Sequence, residues 1–157
     1  MTEPGRDSRA VDRYNRLLRD LETSLESPVV PGELASWAAN VRQAAEDVGE
    51  SLESSVQSAH QRLYQEITAE DDDMTVRVEQ LEAEDCGLIT DYAGFAQNAA
   101  GLCHATDSGK LNELELEKAQ EALVDKGIAF VIRARTQEAA IATWYGEAFF
   151  RDRGVVD

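Results

Sequence analysis

A chain of 157 residues, 43 % of them apolar, is long enough for one domain with a proper core, and that composition argues against wholesale disorder. Its 31 acidic residues outnumber 15 basic ones, for a formal net charge of −16, which repels nucleic-acid phosphates and anionic lipid headgroups. Two cysteines, Cys86 and Cys103, make no disulfide framework, no apolar run approaches membrane-spanning length, and residues 1–9 lack the apolar core of a secretory signal, so a cytoplasmic protein with free thiols is expected.

Residues 1–10 read as a polar, disordered or frayed start, and 11–157 as a single domain. Val11, Tyr14, Leu18, Leu21 and Leu25 recur at spacings of three and four, the apolar stripe of a first helix. Arg9, Arg13, Arg16 and Arg19 cover its other faces, and Ser27-Pro28 ends it. Pro28 to Gly32 is a stiff connector. Leu34, Trp37, Val41, Ala45, Val48, Leu52, Val56, Ala59 and Leu63 mark a second helix to about Thr68, roughly 50 Å long. The acidic turn Ala69 to Asp73 follows, with Asp73 or Thr75 as the expected N-cap of a third helix. Its stripe is Val78, Leu81, Asp85, Leu88, Tyr92, Phe95 and Ala99, and Gly101 to Gly109 breaks the pattern. The fourth helical stretch runs from about Leu111 to Phe150, with a bend or break expected at Gly127. Beyond Gly127 nearly every face is apolar, which places that segment in the middle of the fold. No proline occurs after Pro31. The expectation is an all-α, up-and-down antiparallel four-helix bundle.

The residues that interrupt the stripes carry the functional reading. Asp85 stands between Leu81 and Leu88. A buried carboxylate is costly unless paired, protonated or metal-bound; on a slightly rotated seam its head would reach water. Glu138 is in line with Val131 and Tyr145, three residues from Arg135, and an ordinary Glu138–Arg135 ion pair is the plainer reading. Glu53 and His60 lie seven residues apart on one face of the second helix, where both also read as solvated or half-exposed side chains. Asp85, Glu138, Glu53 and His60 are thus the candidate metal ligands, if a metal is held at all. Gln137 and Asn15 are poor ligands and suit hydrogen bonding inside the bundle. Asp71, Asp73 and Glu82 match positions 1, 3 and 12 of a calcium loop, but Val76 stands where that loop needs glycine, so this is a helix-capping turn. Cys103-His104 is too small a cluster for zinc. No phosphate-binding glycine loop or nucleophile triad is present, and no enzymatic activity is expected.

Several short matches in order make the chain resemble the hemerythrin-like, histidine–histidine–glutamate cation-binding bundles from about Pro31 to the C-terminus. They are Arg62-Leu63-Tyr64-Gln65-Glu66-Ile67, then Arg77-Val78-Glu79-Gln80-Leu81-Glu82-Ala83-Glu84-Asp85, then Tyr145-Gly146-Glu147-Ala148-Phe149 with Asp152-Arg153-Gly154, and Trp37. The resemblance implies a four-helix bundle with a non-heme di-iron site of histidines and carboxylates, used for oxygen binding, iron or redox sensing, or stress response. The family's histidines do not carry over. The one ending Leu-x-x-Glu-His falls on Asp85, the last-helix one near Gln137, the second-helix one near Glu53 and the first-helix one near Asn15. The expectation is a degenerate member, without cofactor unless the di-iron site is retained, acting as a binding or interaction module. The alternatives are a carboxylate-rich sensor or store for iron or another divalent cation, and a helical self-assembly module. The apolar last helix, with Trp144 to Phe150, is the face expected to form a dimer or take a protein partner.

Overall fold

The computed structural model describes residues 4–150, with side chains from residue 8 onward; the Asp152-Arg153-Gly154 match lies outside the described residues. The backbone is helical from Pro4. Helix α1 spans Pro4–Glu26 and buries Tyr14, Leu18, Leu21 and Leu25, as its stripe predicts. The connector turns at Gly32, whose φ of 86° lies in the left-handed region. It is pinned from the far side by the Trp37 indole, which donates to the Ser27 carbonyl at 3.0 Å.

The second rod is one helix in three parts: α2 (Leu34–Ser54), a π-helical turn (Ser55–His60) and α3 (Gln61–Glu70). A straight α-helix carries the expected seam to Leu63. Val56 and Ala59 are buried as expected, but the wider π turn slips the phase, so that the buried set continues through His60, Tyr64 and Ile67 rather than Leu63. The acidic turn folds as a single 3₁₀ turn, Asp72–Met74. Asp71 caps it by accepting the Asp73 amide at 3.1 Å, so neither Asp73 nor Thr75 is the capping side chain expected for the next helix.

Helix α4 runs from Thr75 to Ser108 and passes through Gly101, where a break was expected. One glycine in a helix costs roughly 1 kcal/mol, and burial of Ala99 and Leu102 on either side outweighs it. The stop is Gly109, left-handed at φ 65°. Asn112 and Glu115 then form a reciprocal cap: the Asn112 side chain accepts the Glu115 amide at 2.8 Å, and Glu115 accepts the Asn112 amide at 3.3 Å. Helix α5, Glu113–Phe150, is unbroken at Gly127. That glycine is there for close approach, since a Cβ would sit 2.6 Å from Leu25 Cδ1 and 2.8 Å from Phe95 Cε2. Nor is the end of α5 buried all round: Ile132, Phe149 and Phe150 are exposed, so α5 is one wall of the bundle rather than its centre.

Among the described residues every regular element is helical, and the four rods make an all-α bundle. Their contacts run antiparallel. Ala45 meets Tyr92 while His60 meets Asp85, and Phe95 meets Gly127 while Leu81 meets Gln137. The core falls into two apolar clusters. The larger holds Leu18, Val41, Leu52, Phe95 and Phe130; the smaller holds Tyr64, Ile67, Val78, Leu81 and Ile141. No described helix is long and apolar enough to cross a membrane.

Candidate functional site

Between the two clusters three of the four rods present a polar residue to the interior. On the second rod His60 follows Val56. On α4 Asp85 falls between Leu81 and Leu88, and on α5 Gln137 falls between Ala134 and Ile141. His60, Asp85 and Gln137 are all nearly inaccessible to solvent, at 1 %, 2 % and 3 % exposure. His60 closes the π turn, and the phase slip there aims its ring at α4 and α5. Its Nδ1 lies 2.9 Å from Asp85 Oδ1 and its Nε2 lies 2.6 Å from Glu138 Oε1. The Tyr64 hydroxyl donates to Asp85 Oδ2 at 2.7 Å. The Gln137 amide nitrogen reaches Asp85 Oδ1 at 3.0 Å, the Leu81 carbonyl at 2.8 Å and the Tyr64 oxygen at 3.2 Å. Both oxygens of Asp85 are therefore satisfied, which is what its burial requires.

A neutral imidazole has one donor and one acceptor nitrogen, and an acceptor facing a carboxylate would be repelled. With carboxylates on both sides, His60 is held as the imidazolium. Burial pushes its pKa down, but hydrogen bonding and charge from Asp85 and Glu138 outweigh burial and raise it to about 9. Burial, followed by the bond to Asp85, raises the Tyr64 phenol well above its ordinary value. Tyr14 of α1 also faces this layer. It is 1 % exposed, its hydroxyl makes no hydrogen bond among the described residues, and burial and then the charges of Glu138 and Asp85 raise its pKa.

Of the four candidate ligands, Asp85, Glu138 and His60 come together. Glu53 does not: it is exposed on the solvent side of α2, 3.5 Å from Gln57 Nε2. The alternative placements also change. Asp85 does not reach water, His60 is not half-exposed, and Arg135 leaves Glu138 to His60 and pairs with Glu22 of α1 at 2.5 Å. Gln137 is the internal hydrogen-bonding partner expected of it, whereas Asn15 is exposed and its neighbour Tyr14 takes the inward place. Tyr14 and Tyr64 were the residues missed. Tyr14 sits on the first apolar stripe, where a phenol reads as core, and Tyr64 lies one residue off the expected second seam, which runs to Leu63. The available signal was that a buried tyrosine hydroxyl needs a partner.

No protein-family model, curated protein or solved structure matches the chain. Among the described residues no group of three or more histidine, cysteine, aspartate or glutamate side chains is arranged to hold a metal ion. The polar layer does not fit the di-iron centre that the resemblance implies. It has one imidazole, both of whose nitrogens face carboxylates. The other inward polar groups on α4 and α5 are the Asp85 carboxylate and the Gln137 amide, whose nitrogen is a donor and not a lone-pair ligand.

Proposed function

We propose that the chain is a degenerate hemerythrin-like bundle in which a proton shared by His60, Asp85 and Glu138 takes the structural place of a metal, and that it works as a binding or interaction module. One observation carries this reading: the only imidazole of the interior layer is gripped by carboxylates of two other helices. A cation-bridged layer ties the rods together, and a proton on His60 does the same without redox chemistry. The exposed Ile132, Phe149 and Phe150 offer apolar contacts for a partner or a second copy. Metal analysis of the purified native protein tests the core of the proposal. Little iron and no oxo-bridge absorption are expected; near-stoichiometric iron with that absorption overturns it.

A second reading, a site for one divalent cation, is favoured by the meeting of Asp85 and Glu138 on His60 and by the unpartnered Tyr14 hydroxyl. Nε2 of His60 and the Glu138 carboxylate would be ligands, with Asp85 orienting the ring through Nδ1. Addition of cobalt(II) distinguishes the two. Visible-region bands that vanish in His60→Gln support the cation site, and their absence supports the proton.

A further inference from the structure

The start of the π turn faces a second place, on the outside of the bundle. A cleft of about 400 Å³ lies between α1 and the α2–π junction, lined by Arg9, Ala10, Arg13, Glu50, Ser51, Ser54 and Ser55. We propose that this cleft is an anion site that takes a phosphate monoester. The inference is independent of the reading of the buried layer.

Three observations converge on it. Arg9 and Arg13 are one helical turn apart, so their guanidinium groups share one face of α1. The chain has 31 acids for 15 bases, and Arg42, Arg133 and Arg135 all hold carboxylates. Among the described residues Arg9 and Arg13 pair with none. Ser55 is 5 % exposed, yet its hydroxyl makes no hydrogen bond among the described residues. A helical serine in that position can bond back four residues, as Ser58 does to the Ser54 carbonyl at 2.7 Å. Ser55 does not, and the cleft is where its remaining surface opens.

Two guanidinium forks and three serine hydroxyls are a donor set for a tetrahedral oxyanion, whose three terminal oxygens accept more hydrogen bonds than a carboxylate can. The cleft is at the small end of the range for organic ligands, which leaves room for a modest group carried on the phosphate. Glu50 is the one acid in the lining. It opposes the anion directly but is placed to accept a hydroxyl from the carried group.

The test uses the full chain in phosphate-free buffer, titrated with phenyl phosphate and followed by amide NMR. Saturable shifts are expected at Ser51, Ser54 and Ser55. The double variant Arg9→Gln, Arg13→Gln should weaken binding about ten-fold or more, and Ser55→Ala by a few-fold. Glu50→Gln should strengthen it. Both arginines are exposed, so their replacement leaves the fold intact, checked by an unchanged circular dichroism spectrum. Absence of saturable shifts, undiminished binding in the double variant, or equal binding of benzoate would each overturn the proposal.

Discussion

Helices α4 and α5 are joined by two clusters in which a cation meets two carboxylates, one inside the bundle and one outside. Inside, His60 bridges Asp85 and Glu138. Outside, Arg133 of α5 reaches two carboxylates of α4, Glu84 and, at 2.5 Å, Asp91, straddling Gly87, whose missing Cβ makes room for the guanidinium. The outer three are each more than a third exposed. Water already solvates them, and salt screens them, so the pairing adds little. In the inner cluster His60 and Asp85 have been stripped of water and Glu138 is mostly covered, so each member depends on the others. Similar chemistry thus stands for a necessity in one place and a convenience in the other.

The comparison breaks most visibly when the inner cation is removed. His60→Ala leaves two carboxylates facing each other without a counter-charge and should lower stability by about 3–5 kcal/mol at neutral pH, measured by urea unfolding. A loss below about 1 kcal/mol would place the inner cluster on a par with the outer one.

Titration separates the clusters without a mutation. The folded-state pKa of His60 is raised from 6.5 to about 9, so its contribution is complete below pH 6.5 and disappears as the pH climbs through 9. Urea midpoints should fall across that interval in the native chain and stay level in His60→Gln. Arg133 keeps its proton throughout, so the outer cluster contributes no slope there.

A purely apolar contact calibrates the scale. Gly127→Ala drives a methyl group into Leu25 and Phe95 and should cost about 1–3 kcal/mol, read as a lower thermal midpoint. The smallest effect is expected for Arg133→Ala, below about 1 kcal/mol and fading with added salt. A larger, salt-insensitive loss would show that the outer clamp acts through packing of its aliphatic stem.

Most of the fold was legible because helix periodicity is a local property. The stripes of α1 and α4 name their buried residues almost one for one, and Asp85 stood out by interrupting such a stripe. What escaped was set by tertiary contact. Gly127 reads as a breaker in isolation, and only the neighbouring Leu25 and Phe95 turn it into a packing requirement. The π turn has no compositional mark in Ser55–His60, so the expected seam ran to Leu63, and Glu53 and His60 were placed together on one face. The pairing of Arg135 with Glu22, 113 residues away, outcompetes the local partner that spacing alone favoured.

The π turn carries one more consequence. An α-helix advances about 100° per residue and a π turn spends about one residue more on the same turn, so rewinding Ser55–His60 as ordinary α-helix with every residue kept would swing everything downstream by about that angle. His60 and Tyr64 would leave the interior together, and α3 would present a different face to α5. The turn works as a vernier, in which the orientation of a whole rod is read from the count of residues in one loop of backbone. A one-residue deletion that restored the ordinary turn would leave the rod in phase, so at this point in the chain the match of winding to length sets the architecture.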